Sequence, residues 1–477
     1  AGKQKLHEKR REKHPRLEHL ATKCDPTFFP HFLKIKSDMY VWILILTALF
    51  YILPAIQLML GTQKISTETG SQDLCYYNFL CRRSLETRLM PINDYGHVFS
   101  NIAYIFCGVY FMVLVWVRKN RRIHEMVKEY CTKGREEPGE KEIEKIKLIK
   151  QVIKKSQLNA EFLNRRGIPE QYGIFYTLGG ALILQGTLSA CYHMCPVEKS
   201  FQFDTTCMYI MASLAYLKIY QFRHPDITAN AHKTFALISL VLILEAIGYY
   251  SSKVVYLYLF MVIFTYVILL FVGISHVYFQ QNFRQITMNI WNSLECGTRK
   301  NENISPKLSI RQKLKTFIIK GRSRNVFLFI MTLMNAGLLL YFVINATDSG
   351  EKKSNWLSAV FAVNLFGYAT YYTMMKCYYV YNQKTRVESI SVTCWVYTIL
   401  ALSFGIIGVH YFNQKEKTTH LSPSESRNMN AECTYRFFDK HDIWHFASAF
   451  AIFFTCMTLL TLEDNNTGTP WKDIPVF

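Results

Sequence analysis

Charged side chains are scarce in this chain. Asp, Glu, Lys and Arg make up only 19% of its 477 residues, below the roughly 25% of an ordinary soluble domain. Half the residues are hydrophobic and 15% are aromatic. That balance excludes one ordinary soluble domain, because so much apolar surface has no interior large enough to receive it. Internal repeats and low-complexity tracts are also missing, so no repeat architecture is expected. A cleavable secretory leader is not expected either, since residues 1–38 are rich in Lys, Arg and His and the first apolar run begins at Met39.

Long apolar runs are what the chain has in abundance. Runs of about 20 residues, enough to cross a hydrocarbon core of about 30 Å as helix, fall at about 39–60, 97–117, 172–193, 204–222, 234–250, 254–278, 326–347, 357–382, 389–412 and 440–462. The expectation is an all-α polytopic membrane protein of about ten transmembrane helices. Residues 1–38 would form a basic cytosolic arm, 39–462 the helical domain and 463–477 a cytosolic tail. The two long polar connections, 118–171 and 279–325, would be cytosolic loops.

The sidedness follows from Lys and Arg. Counted over alternate connections, one set holds 40 of them and the other 12. By the positive-inside rule the rich set is cytosolic, with both chain ends. The poor set also carries 11 Asp and Glu, so the formal charge of +20 is a topology signal. It is no nucleic-acid footprint on the outer face, which would need clustered unpaired cations.

Four of the 13 cysteines fall in outer connections: Cys75, Cys81, Cys195 and Cys433. An even number in an oxidising space suggests two disulfides, with three pairings open. Bridges from Cys195 and Cys433 to the 75/81 loop would also clamp the helix ends that carry the chemistry.

Those ends gather an unusual set. Ser189 and His193 are four residues apart and so share a helix face. A short turn, Met194 to Phe203, returns the chain at Asp204 to the same membrane depth. The last helix opens on His441 and His445, again one turn apart, a spacing that lets two imidazoles reach one metal. Topology derived from Lys and Arg alone therefore brings three His, one Asp and one Ser to the extracytosolic boundary. Ionisable groups at membrane depth are costly and usually paired, metal-bound or functional, and neutral imidazoles with one oxygen ligand suit zinc.

Two roles compete. With His193, His441 and His445 as ligands and water in the fourth position, the ion would activate that water. Asp204 would then hold or deprotonate it, and Ser189 would donate to the oxyanion. With Asp204 as a fourth ligand the tetrahedron closes and the ion becomes a structural staple. Among other polar residues, Lys218 and Lys376 are expected to snorkel from cytosolic helix ends. Glu245 sits mid-helix as a functional candidate, and Asn101, Asn335 and Asn364 are expected to form interhelical hydrogen bonds.

Six stretches point to a family: DLCYYNFLC at 73–81, FSNIAYIFCG at 99–108, SACYHMCP at 189–196, FQFDTTCMYIMA at 201–212, YQFRHPDI at 220–227 and DIWHF at 442–446. Together they resemble the systemic-RNAi-defective family of double-stranded RNA transporters, from about Met39 to Phe477. The resemblance implies a further relation to membrane hydrolases that include alkaline ceramidases and adiponectin receptors. Their zinc site uses a Ser-xxx-His, an Asp eleven residues on, and a His-xxx-His, filled here by Ser189, His193, Asp204, His441 and His445. It implies passage or uptake of double-stranded RNA in support of systemic RNA interference, at the cell membrane or an endolysosomal membrane. Cholesterol and other membrane lipids are implied partners, and a homo-oligomer is compatible. The alternative is a zinc-dependent hydrolase of ceramide-like lipid amides. Family members carry a large β-rich extracellular domain and one more transmembrane helix ahead of this region, so RNA capture is expected to rest mainly with that domain.

The charge asymmetry generates a first prediction. A single cysteine introduced at position 140 should be labelled by an impermeant maleimide only after the membrane is opened, and one at position 420 in intact cells. Labelling of position 140 from outside would invert the topology.

Overall fold

The computed structural model describes residues 29–70, 74–87, 91–132, 167–168, 171–197, 200–223, 231–250, 260, 263–264, 266–267, 323–344, 356–383, 388–414, 423–429, 433–434 and 437–477. Within them the chain is mostly helical. In order come α1 (Phe29–Thr69), a two-residue antiparallel pair β1 (Leu85–Glu86) and β2 (Pro91–Ile92), α2 (Tyr95–Ser100) and α3 (Ile102–Thr132). There follow α4 (Tyr172–His193), α5 (Phe201–Arg223), α6 (Ala231–Tyr250), α7 (Ser323–Ile344), α8 (Trp356–Gln383), α9 (Val392–Gln414), α10 (Pro423–Asn428) and α11 (Lys440–Thr461).

Of the ten expected membrane runs, five lie in helical segments long and apolar enough to cross: Ser37–Thr69, Tyr95–Arg122, Tyr172–His193, Val392–Gln414 and Lys440–Asn466. Ala231–Leu244 and Phe329–Ile344 are shorter apolar helices, and 254–278 lies mostly outside the described residues. The run at 204–222 does form a helix, α5, but it carries Asp204, Lys218, Gln221 and Arg223 on buried positions. Those groups serve the interior and lower its apolar content.

The chain divides into two compact units, 1–238 with 376–476, and 239–375 with Phe477. In the first, α4 is the central helix. Its apolar window is 67% buried, against 11% for those of α1 and α9, and it packs on α1, α3 and α5 while α11 packs on α3 and α9. Small residues set these distances, as they do between helices in lipid. A Cβ on Gly108 would stand 2.7 Å from the Gly179 carbonyl oxygen, and one on Gly186 would stand 2.8 Å from the Asn101 carbonyl oxygen. The outer faces of α1 and α9 expose Trp42, Phe50, Leu402 and Ile406, surfaces suited to hydrocarbon. In the second unit, Asn335 and Asn364 exchange side-chain amide hydrogen bonds of 3.1 and 2.8 Å between α7 and α8, as expected. Glu245 falls on α6, its side chain lying outside what is described.

The expected helix from 97 is interrupted at Asn101. Ser and Asn side chains compete for backbone partners, and here Ser100 Oγ and Asn101 Nδ2 both donate to the His97 carbonyl, at 2.9 and 2.8 Å. Asn101 thus bonds within its own turn, which corrects the interhelical role expected for it.

Two disulfides form, Cys75–Cys195 and Cys81–Cys433, selecting one of the three pairings left open. They tie the segment after α1 to the end of α4 and to the approach to α11.

Lys218 and Lys376 do not snorkel; they are 1% and 0% exposed. Lys218 Nζ lies 4.6 and 4.7 Å from the ring centroids of Phe175 and Phe222. Lys376 Nζ lies 3.0 Å from Glu463 and 3.8 Å from Glu388, and the fully buried Arg223 pairs with the same two carboxylates at 3.1 and 2.7 Å. Burial without partners would be prohibitive for either cation, so two acids more than 160 residues beyond Arg223 hold them. Glu463→Ala should therefore destabilise the chain by about 3–5 kcal/mol, the usual result of stripping one partner from a buried ion pair. The measurement is the denaturation midpoint in detergent, and an unchanged midpoint would mean that the network adds nothing to stability.

Candidate metal centre

Three helix ends build the site. Ser189 and His193 occupy the last turn of α4, Asp204 the first turn of α5, and His441 and His445 the first turn and a half of α11. The start of α11 is fixed by a reciprocal cap. Asp439 Oδ1 accepts from the His441 and Asp442 backbone N–H groups at 2.8 and 3.0 Å, while Asp442 Oδ2 accepts from the Asp439 N–H at 3.0 Å. Such a capping box pins the first turn, and with it the direction of both imidazoles.

One donor atom from each of His193, Asp204, His441 and His445 lies within 4.8 Å of the others. His193 Nε2 and His441 Nε2 are 3.3 Å apart. Ligand atoms on a tetrahedral zinc, with bonds of about 2.0–2.1 Å, stand about 3.3 Å from one another. Ring centroids of His193 lie 5.0 Å from those of His441 and His445, and the latter two are 4.4 Å apart. His193, Asp204 and His445 are buried. The donor set, three imidazoles and one carboxylate, is of the type that binds zinc.

The carboxylate is held on two sides. Ser189 Oγ donates to Asp204 Oδ1, and Gln185 Nε2 donates to the Asp204 backbone oxygen at 2.5 Å. Ser189, expected beside a developing oxyanion, thus has its proton on Asp204. All five residues picked from the sequence come together at this end of the bundle.

A second cluster, missed by sequence reasoning, abuts the first. His97 Nδ1 is 2.9 Å from Asp94, His97 Nε2 is 3.2 Å from Asp439, and Asp442 lies 3.9 Å from Nδ1. The His97 ring centroid is 5.2 Å from that of His193 and 5.4 Å from that of His441. Burial alone would raise the Asp439 pKa. The charge and hydrogen bond of His97, with the Asp442 backbone and Asn78 amide, outweigh that and hold it below the usual carboxylate range. A signal did exist: Asp94-x-x-His97 places an N-cap acid about one turn before a His, and Asp439-Lys-His-Asp442 opens α11 on the two acids of a capping box.

The chain between α1 and α2 covers the site. Tyr77 O–H donates to the Met194 carbonyl at 2.8 Å, Asn78 Nδ2 donates to Asp439 Oδ2 at 3.2 Å, and Tyr76 N–H donates to the Pro196 carbonyl at 2.9 Å. With the two disulfides, these bonds fasten the cover to the same helix ends.

Residues 28–477 match the model of a family described as the dsRNA-gated channel SID-1. The chain is 31% identical over 448 residues, 93% of its length, to SID1 transmembrane family member 1 of Homo sapiens and to its counterpart in Mus musculus. It is 25% identical over 446 residues to Cholesterol uptake protein 1 of Caenorhabditis elegans. It spans about half the length of these relatives, 47% of the first two and 52% of the third. A match over almost the whole chain, with nearly a third of the residues identical to these relatives, places this chain in the SID-1 family of dsRNA-gated channels.

Proposed function

We propose that this chain is the membrane-embedded part of a protein that carries double-stranded RNA across a membrane, stapled at its extracytosolic end by one zinc ion. The observation that carries the reading is the family match over residues 28–477. The topology we assign has about ten spans, with both ends and the 118–171 and 279–325 loops in the cytosol, following the Lys and Arg asymmetry. The membrane we assign is the cell surface, with endolysosomal membranes as a second location. Double-stranded RNA is recognised through shape and phosphates. The near-neutral outer connections of this chain suit a division of labour in which capture lies elsewhere in the full-length protein. A sterol is a fitting lipid partner, because one relative is named for cholesterol uptake and the outer faces of α1 and α9 are apolar.

His193, His441, His445 and Asp204 would hold the ion. Bound there, zinc supplies coordinate bonds that join the ends of α4, α5 and α11. The residues themselves favour this structural role over hydrolysis. Asp204, oriented by Ser189 and Gln185, would take the position that a catalytic site keeps for water. The Ser189 proton is already committed. Kinship with ceramidase-like membrane hydrolases would then lie in the shared donor pattern, and the lipid amide hydrolase reading gains no support from the relatives matched.

The metal assignment predicts one zinc per purified chain by elemental analysis, falling at least tenfold in His441→Ala and in His445→Ala. Full zinc in either variant would refute the ligand set, and turnover of a ceramide-like substrate by the zinc-loaded chain would overturn the structural role. The transport assignment predicts that salt-sensitive uptake of double-stranded RNA into cells expressing the full-length parent disappears when this region is deleted, while surface binding of the RNA persists. Unchanged uptake would sink it.

A further inference from the structure

A zinc ligand must present a lone pair, and a neutral imidazole has its single proton on one ring nitrogen or the other. The hydrogen bond made by the far nitrogen decides which. Ser100, the last residue of α2 and 0% exposed, supplies that bond for His445, which is also 0% exposed. Ser100 Oγ stands 2.8 Å from His445 Nδ1 and 2.9 Å from the His97 carbonyl oxygen.

The hydroxyl has one proton to give. A carbonyl can only accept, so that proton goes to His97 O, and Ser100 Oγ receives a proton from its other neighbour. His445 Nδ1 must therefore carry the hydrogen, which leaves Nε2 with a lone pair. The carbonyl also accepts from Asn101 Nδ2 at 2.8 Å, so both of its lone-pair positions are used and the hydroxyl is held in place. One turn further on, a second hydroxyl pair joins α3 to α11. Tyr104 O–H lies 2.5 Å from Ser448 Oγ, which itself donates to the Trp444 carbonyl at 2.6 Å. The same count of protons makes Tyr104 the donor to Ser448, so α11 is held to α2 at His445 and to α3 one turn later.

We propose that Ser100 is a positioning residue that locks His445 in the Nδ1–H tautomer and so presets Nε2 as a metal donor before any ion arrives. The helix break at Asn101 has its purpose here, because it frees the His97 carbonyl to take the Ser100 proton. The inference rests on the metal reading above and adds to it the group that prepares one of the ligands.

Nitrogen NMR of metal-free chain carrying labelled histidine tests it directly. His445 should show a protonated Nδ1 and a bare Nε2 in the wild type, and Ser100→Ala should shift the signal towards the Nε2–H form. Zinc affinity by chelator competition should weaken about 10–100-fold in Ser100→Ala, the usual effect of removing a group that orients a ligand, and recover most of that loss in Ser100→Thr. An Nε2–H wild-type spectrum would overturn the proposal without any variant being needed. If His445→Ala abolishes zinc binding while Ser100→Ala keeps both affinity and tautomer, Ser100 has no such role and the metal site stands. If His445→Ala binds zinc normally, the metal reading itself has failed.

Discussion

The arrangement at one end of this helical unit is governed by the meeting of imidazoles and carboxylates where apolar helices stop. Buried polar groups cost several kcal/mol apiece unless paired, so each must be satisfied before the helices can close around them. The surrounding structure reads as a chain of such satisfactions. Asp204 is met by Ser189, His445 by Ser100, His97 by three aspartates, and Asp439 and Asp442 by each other's backbone. The cover segment then supplies Asn78 to Asp439 and is itself stitched down by two disulfides.

The opposite end of the same unit solves the charge problem differently. From Asp204 to Arg223 along α5 is a path of about 28 Å at 1.5 Å per residue, roughly the depth of a hydrocarbon core. There Arg223 and Lys376 face Glu388 and Glu463, two cations against two anions, further held by Asn466. That network is neutral in itself and needs nothing from outside. The donor set at the other end, three imidazoles and one carboxylate, contains no fixed cation of its own. It is a set that an added divalent ion would complete.

How much of this was legible in the sequence depended on whether the partners were fixed by local spacing. Ser189 with His193 and His441 with His445 follow from helical periodicity, and the turn before α5 forces Asp204 beside them. The Lys and Arg count, blind to all of these residues, sends the two groups to one side. His97 escaped because its partners are N-caps, and caps depend on where a helix starts, which an apolar run defines only loosely. Lys218 and Lys376 were misread for a related reason. Their apolar flanks resemble those of a snorkelling lysine, whereas for Lys376 the partner Glu463 lies 87 residues away. Asn101 was misread in the other direction, since the break it helps to make is invisible in a run that stays apolar from Ile102 onward. The disulfide pairing needed three dimensions outright.

The packing of the first unit also bears on the transport reading proposed above. The backbones of α3 and α4 approach so closely at Gly108 and Gly179 that a single methyl group would collide with a carbonyl oxygen. Phe111, Leu178 and Leu182 fill the adjoining interior with at most 1% exposure. Such a seam is dry and apolar, and a hydrated polyanion would have to shed its water and counterions to enter it. One disulfide, Cys75–Cys195, ties down the chain just after α4. The seam between α3 and α4 is thus closely packed, which suits a platform that holds the outer connections in place. Under that reading, the path of the RNA would lie away from the α3–α4 seam.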